Sequence, residues 1–495
     1  MGAGWMVAMR LFDRGLGVIS TIILARLLVP ADYGLIAMAT GCAELLSLIA
    51  AFGFDSALIQ KPDTSNSHFD TAWTLNVLFG LSIGVTLFIG APFAARYFGE
   101  LRLVGVMQAI AAAPVLNGFA NIGIVLFRKE LKFHLEAAFM AARRIFGFAV
   151  TLAAALWFRS YWALVAGTLA AALAGLILSY VLHPYRPRLT LSERAELFGF
   201  SAWLFANSIV RFASTRALEF VIAKQAGSSA LGLFSMANEI SSLPTSELSA
   251  PINRALFPGY ARLQENDVQL RRLVLDVFAV LSLLAVPAGV GIAALAPLLV
   301  RVMLGANWLD AVPLIQTLAF SGAIAVLQNN SYLAYLAKGR PRTTTWIAAV
   351  FALTQLVLVV VLLPDYGVFG AACGILGSRI ALIPIESGML MRVLAIRPRA
   401  LWDVIWRPLC ASVVMWFAVT DLVDNTAELG IGGGLPALLG IATAGALTFT
   451  TMVLLLWRLT GTFDSGERLL LKLLPGDGGI EHVLRRWLRF PADTA

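Results

Sequence analysis

Charge is the scarcest ingredient of this sequence: 13% of its 495 residues are Asp, Glu, Lys or Arg, against about 25% in a soluble domain. Cysteine and histidine are sparse too, at three and four residues. Cys42, Cys373 and Cys410 fall in apolar stretches at spacings that suit neither a disulfide framework nor a metal site; they read as small buried hydrophobes. His68, His134, His183 and His482 form no cluster. There is no Gly-rich phosphate loop followed by Lys and Ser or Thr, no HExxH and no Asp-rich diphosphate motif. These absences exclude a soluble enzyme and a pump whose ATP engine lies in this chain. No metal and no cofactor is expected.

Apolar length is what the sequence has instead. Hydrophobic residues make up 59% of the chain and mean hydropathy is +0.81. A bilayer-crossing helix needs about 20 such residues, which sets a ceiling of about fourteen crossings. Hydropathy windows place spans at 7–28, 34–59, 73–95, 103–126, 138–158, 161–182, 201–223, 230–253, 273–299, 311–336, 343–363, 367–391, 402–422 and 433–457. The eighth is the weakest, because NEISSLPTSELSAP is polar and Pro244 interrupts it. The first carries Arg10, Asp13 and Arg14 and lacks a small-residue cleavage site, so it reads as a retained helix and not a signal peptide.

Basic residues orient these spans. With the N-terminus in the cytoplasm, about 28 of the 37 Lys and Arg fall on the cytoplasmic side and about six outside. The net charge of +8 is therefore an orientation signal and not a nucleic-acid footprint. The expectation is a multi-pass protein of a bacterial inner membrane with both termini cytoplasmic. External loops of about ten residues or fewer leave no room for a periplasmic catalytic domain. The tail after Arg458 contains ERLLLKLL and IEHVLRRWLRF, basic amphipathic stretches suited to the inner leaflet or to packing on helix ends.

The chain also repeats itself. A shift of 198 residues lays ARLLVPADYGLIAMA (25–39) over AKQAGSSALGLFSMA (223–237), pairing Ala25 with Ala223, Gly34 with Gly232, Leu35 with Leu233, Met38 with Met236 and Ala39 with Ala237. Six spans per repeat keep both halves in the same orientation, related by an axis along the membrane normal. The expected fold is all-α, with two six-helix lobes (1–198 and 199–396), two additional spans (397–457) and a cytoplasmic amphipathic tail (458–495).

Ionisable groups within spans are costly and mark functional candidates. They concentrate in spans 1, 2, 7 and 8. Arg10, Arg14, Arg211, Arg216, Arg254 and Arg379 are candidates for gripping a phosphate or pyrophosphate, which arginine can do bidentately. Asp13, Glu44, Asp55, Glu219, Glu239 and Glu247 are candidates for H+ or Na+ coupling. Structural pairing competes with these roles. Asp13 can neutralise Arg10 or Arg14, Glu219 sits three residues from Arg216, and Arg379 shares a helix face with Glu386.

Several runs resemble one family. ILARLLVPADYGLIAMA, LGLFSMANEISSLP, RALFPGYARLQ, LGANWLDA, the LAKGR loop and YGVFGAACG occur in order over most of 10–390. Together they resemble the polysaccharide transporter branch of the multidrug/oligosaccharidyl-lipid/polysaccharide exporter superfamily, of Wzx-like and colanic-acid type. The resemblance implies a two-lobed flippase of undecaprenyl-pyrophosphate-linked oligosaccharide, working by alternating access beside a polysaccharide polymerase or export machinery. Arg14-Gly15-Leu16-Gly17 resembles a cavity-lining arginine stretch of the superfamily's lipid II flippases, which implies that Arg14 and, less directly, Arg254 meet the pyrophosphate. Many relatives have Asp where this chain has Glu219. Two other readings are an ion-coupled antiporter of small cations, as in the multidrug branch, and a membrane-embedded polymerase or transferase. The first calls for a cavity poor in arginine and the second for a large external loop.

Overall fold

The computed structural model describes residues 2–48, 54, 58–59, 64–428 and 434–460, without the side chains of 2–4, 6–8, 195–215, 244–255, 257 and 427–428. The expected amphipathic tail lies outside the described residues, apart from its first three. Regular structure among the described residues is entirely helical. The elements are α1 (Gly2–Leu27), α2 (Pro30–Ser47), α3 (Asn66–Phe98), α4 (Leu103–Ile110), α5 (Ala112–Gly118), α6 (Val125–Lys129) and α7 (Phe133–Phe158). They continue as α8 (Trp162–Leu182), α9 (Arg194–Arg262), α10 (Asp267–Leu299), α11 (Val312–Ala337), α12 (Pro341–Leu394), α13 (Pro398–Glu428) and α14 (Leu435–Thr460).

Two of these are too long to be single rods. At 1.5 Å per residue, the 69 residues of α9 and the 54 of α12 would run about 100 and 80 Å, against a hydrocarbon core of about 30 Å. Each breaks at a glycine with positive φ, Gly227 (φ 82°, ψ −177°) and Gly367 (φ 57°, ψ −148°), a backbone region glycine enters without a Cβ penalty. At Gly367 the second half of α12 folds back along the first. A Cβ on Gly370 would lie 2.2 Å from the Leu362 carbonyl oxygen, and one on Gly374 2.9 Å from the Val359 nitrogen. The YGVFGAACG run is thus a helical hairpin whose small residues let two backbones touch.

Wherever their residues are described, the expected spans fall on helices, the fourth as a bent one. By length and apolarity alone, eight described helices can cross a membrane, or nine if the pair Leu103–Gly118 and Ile122–Lys129, bent by 63°, is one span. Fourteen crossings require in addition that α12 cross twice and that α1, α2 and both halves of α9 cross despite their charges. Large apolar side chains face outward along the long helices, among them Phe93 (68% exposed), Trp157 (86%) and Leu447 (68%). That is the inverse of a soluble surface and the arrangement a lipid solvent favours. The protein is a polytopic membrane protein.

The chain divides into two compact units, Met1–Ser235 with Met303–Trp308, and Met236–Val302 with Leu309–Ala495. In the first, α1 packs on α7, α7 on α8, and α3 on α4 and α5. Pro30 opens α2 at a position where its missing N–H costs nothing, and Asp32 Oδ2 accepts the Val29 N–H at 3.3 Å. Gly34, on the first turns of α2, meets the start of the second half of α9. A Cβ on Gly34 would sit 1.7 Å from the Ser228 carbonyl oxygen, and one on Gly232 1.9 Å from that of Pro30. The contact is reciprocal: Pro30 and Ser228 are 198 residues apart, as are Gly34 and Gly232, so the sequence repeat meets itself there. The same end of the unit is tied by Lys224 Nζ donating to the Tyr97 carbonyl and Ser228 Oγ donating to Glu100 at 3.0 Å. Arg102 grips Glu100 through Nε (2.9 Å) and Nη2 (2.8 Å) and holds its carboxyl below the ordinary value.

Trp308 of the LGANW run belongs to this first unit although its flanks belong to the second. It is fully buried, donates Nε1–H to the Ala25 carbonyl at 2.8 Å and meets the Tyr33 ring edge-on at 5.2 Å. LGANW and ARLLVPADY, read separately in the sequence, are plug and socket. Trp308→Ala is expected to cost about 3–5 kcal/mol, and Trp308→Phe, which keeps most of the ring, about 1 kcal/mol for the hydrogen bond. Thermal unfolding of the purified protein reads both, and an unshifted transition in Trp308→Ala would refute the anchor.

In the second unit α10 is the central element, packed on α11, α13 and α14. Its core joins Tyr260, Leu270, Val274, Phe278, Leu382 and Leu390. Two of its buried polar side chains are paired: Tyr260 Oη donates to Asn330 Oδ1 at 2.6 Å, and Asn330 Nδ2 to the Val274 carbonyl at 3.3 Å. Ser282 Oγ, near the middle of α10, donates to the Val404 carbonyl at 3.0 Å and ties on α13.

Candidate functional site

In the first unit, charges that the sequence scattered over four helices are drawn into two groups. Arg216 on α9 binds Glu44 of α2 bidentately, Nε to Oε2 at 2.7 Å and Nη2 to Oε1 at 2.8 Å. Its Nη1 reaches Glu219 Oε2 at 2.7 Å, one helical turn along. The i,i+3 pair expected from the sequence forms, and Glu44 joins it from 172 residues away. As a phosphate ligand, Arg216 would first have to release two carboxylates. Asp13 finds its partner off its own helix: Arg144 on α7 lies 3.1 Å away, where the sequence suggested Arg10 or Arg14. Those two arginines are half-buried on α1. Glu239 is exposed on the second half of α9. Asp55 and the side chains of Arg211, Glu247 and Arg254 lie outside the described residues.

The second unit holds a two-part cavity. Its polar chamber, about 470 Å³, lies between α11 and the two halves of α12 and is lined by Gln328, Asn329, Ser331, Tyr332, Arg379 and Glu386 among others. Arg379 projects from α12 and is held on three sides. Its Nε donates to Ser321 Oγ at 3.0 Å, its Nη1 to Gln328 Oε1 at 3.1 Å, and its guanidinium carbon stands 4.8 Å from the centre of the Phe351 ring. Gln328 Nε2 returns a bond to the Arg379 carbonyl at 3.1 Å. Ser321 and Gln328 take two of the five guanidinium N–H groups, and the fork stays in the chamber.

Beside it runs an apolar groove of about 720 Å³ between α10, α11, α12 and α13, walled by Phe278, Phe320, Leu390, Trp402, Trp416 and Phe417 among others. Trp402, Val413 and Phe417 on its rim are exposed. Gln328, Ser331 and Glu386 line both chamber and groove, so the two adjoin. Glu386 does not serve as the ion-pair partner of Arg379 that the sequence suggested. Arg379 turns its hydrogen bonds to α11 instead, and Glu386 stays electrostatically coupled to it across the chamber without a direct salt bridge.

A model of a family described as polysaccharide biosynthesis protein matches residues 23–313, more than half of the chain. The chain belongs to the polysaccharide biosynthesis protein family. Among individual members of comparable sequence, the lipopolysaccharide biosynthesis protein WzxC of Escherichia coli (strain K12) is 25% identical over 343 residues, covering 68% of this chain and 70% of that one. The succinoglycan biosynthesis transport protein ExoT of Rhizobium meliloti (strain 1021) is 24% identical over 323 residues, 65% of each. In fold, this family member is similar to the lipid II flippase MurJ in an inward closed conformation, with a TM-score of 0.69 at 12% identity over 92% of this chain and 99% of that one. An inward-facing multidrug resistance transporter of the MATE family gives 0.60 at 14% identity, over 77% and 95%. The resemblance carried by the ordered motifs is borne out, as is the all-helical transporter fold.

The match to the family model ends at 313, whereas the two-part cavity lies almost wholly beyond it. Of the arginine candidates, Arg379 alone is seen lining a described cavity. Its holders Ser321 and Gln328, and the Asn329–Asn330 pair, escaped the sequence reading because neutral amides and hydroxyls were not counted as intramembrane polar groups. The run QNNS in an otherwise apolar span is the signal that would have found them.

Proposed function

We propose that this chain is an exporter of lipid-linked oligosaccharide, moving undecaprenyl-pyrophosphate-linked repeat units across a bacterial inner membrane by alternating access. The observation that carries the reading is the pair of adjoining cavities in the second unit. One part offers a fixed guanidinium, amides and a carboxylate, the other an apolar groove, and both volumes fall within the about 300–1,000 Å³ of ligand sites. A substrate with a charged, hydroxylated head and a hydrocarbon tail matches that division. Arg379, pre-oriented by Ser321 and Gln328, suits the diphosphate, which a planar fork grips bidentately. The tail runs along α13 and stays in an apolar surrounding throughout. No covalent step is needed for this task.

Energy enters through an ion. Glu44, Arg216 and Glu219 form a cluster with one carboxylate in excess, the balance that taking up H+ or Na+ would neutralise. Two lobes, 1–198 and 199–396, moving against each other suit the reciprocal contact at Gly34 and Gly232, which a two-fold relation between repeats would produce. Both termini face the cytoplasm in this reading, and a polymerase or export complex takes the product outside. A carrier of small organic cations is the second choice, because the chamber presents an arginine where a cation would need carboxylates alone.

Deletion of the gene tests the proposal. Cells are expected to accumulate lipid-linked oligosaccharide in the cytoplasmic leaflet, out of reach of a sugar-modifying enzyme added outside, and to lose the surface polymer. Unchanged surface polymer with no accumulated intermediate would overturn it.

A further inference from the structure

The first unit contains a second, smaller cavity remote in sequence from Arg216 and its partners. Its volume is about 210 Å³, and its polar and aromatic lining includes Asn76, Asn117, Asn121, Arg128, Glu136 and Phe139. It lies between α3, the stretch from α5 to α6, and the first two turns of α7. Glu136 is 5% exposed. Arg128 directs both Nε (2.8 Å) and Nη2 at a single oxygen, Oε1. Oε2 is buried, and no donor reaches it from the described residues. Buried carboxylate oxygens are ordinarily satisfied, so this one is an acceptor held ready in a cavity.

Charge and size narrow what it accepts. Arg128 cancels the Glu136 charge, and Arg143 stands close by, donating Nη2 to Asn117 Oδ1 at 3.2 Å. A bare cation meets the Arg128 guanidinium, with Arg143 behind Asn117, and a bare phosphate meets the carboxylate, so neither is favoured. Neutral hydroxyls are. Asn76 and Asn117 carry amides that both donate and accept, and Phe139 offers an apolar ring for a sugar's C–H face. Asn121 is spent on the wall, its Nδ2 on the His183 and Tyr185 carbonyls and its Oδ1 on the Gly123 N–H, which fixes the cavity's shape. The volume is below that of a drug-sized site of about 300 Å³ or more and holds one ring, not an oligosaccharide.

We infer that this cavity is a monosaccharide subsite, in which Glu136 Oε2 accepts a hydroxyl of one pyranose ring of the transported oligosaccharide. The inference rests on the exporter reading above. It gives the first unit a role in sugar selection that is separate from diphosphate binding.

The test compares three probes on the purified protein in lipid nanodiscs. They are the lipid-linked oligosaccharide extracted from cells deleted for this gene, undecaprenyl diphosphate without sugar, and free hexoses. Wild type is expected to bind the sugar-bearing lipid about tenfold more tightly than the bare lipid, the worth of one hydrogen bond to a charged group. Glu136→Gln is expected to lose that preference while binding the bare lipid as before. Met140→Trp, which fills the cavity from one turn further along α7 and leaves both members of the ion pair in place, is expected to do the same and guards against misfolding of the first variant. Competition by free hexose at millimolar concentration would mark the ring alone as the ligand, and its failure would mark the lipid-linked ring; both support the site. A preference intact in both variants overturns the subsite alone. Binding of neither lipid by wild type overturns the exporter reading and the subsite with it.

Discussion

Arg379→Ala is expected to lower export by about 100-fold or more, because it removes a cation that the second unit has already positioned. Losing one partner of a buried, hydrogen-bonded charge interaction costs about 2–5 kcal/mol, and each 1.4 kcal/mol is a factor of about ten. In this case Ser321, Gln328 and the Phe351 ring fix the guanidinium before substrate arrives, so no ordering cost offsets its contribution. Arg379→Lys should recover only part of the loss. It keeps the charge but has neither the planar fork nor the stacking surface. Surface polymer in a deletion strain carrying each variant, normalised to membrane-inserted protein, is the readout. Wild-type polymer from Arg379→Ala would remove the residue from the transport path.

Gly34→Leu and Gly232→Leu are expected to lose the folded protein altogether. Even the first added carbon overlaps backbone, 1.7 Å from the Ser228 oxygen in one case and 1.9 Å from the Pro30 oxygen in the other. A backbone cannot rotate aside as a side chain can, so the helices must separate, and costs above about 4 kcal/mol follow. The reciprocal geometry makes a sharper demand: the two substitutions should be equally damaging, although one lies in each repeat. Gly90→Ala on α3 is the control. A Cβ there has no neighbour within 4 Å, so the change should be neutral or raise stability by up to about 1 kcal/mol through helix propensity. Yield and monodispersity of detergent-extracted protein decide the matter, and a well-folded Gly34→Leu would refute the close crossing.

The helices were legible in the sequence because a span announces itself locally, in about 20 apolar residues with basic loops between them. The repeat was legible for the same reason, though only as matched letters. Why glycine recurs at Gly34 and Gly232 is a tertiary fact, since each is the space the other's helix occupies. The charged pairs divide along the same line. Arg216 with Glu219 is one turn of one helix and could be foreseen. Glu44 and Arg144 come from elsewhere in the chain, and nothing near Arg216 or Asp13 names them. Arg379 and Glu386 show the opposite error: a shared helix face was readable, but Arg379 spends its hydrogen bonds on Ser321 and Gln328 of α11, and Glu386 meets it only through its field. The cavity around Arg379 was missed because it is built mostly from neutral groups, which hydropathy averages away.

If the groove along α13 holds the lipid tail, as proposed above, it also changes the energetics of the cargo. A polyprenyl chain of about 55 carbons, at about 0.8 kcal/mol per methylene, would resist exposure to water by on the order of 40 kcal/mol. A tail lodged between α11, α12 and α13, on a rim where Trp402 and Phe417 are exposed, never meets that barrier. The work of each cycle then scales with the head group alone, and the length of the carrier lipid drops out of it.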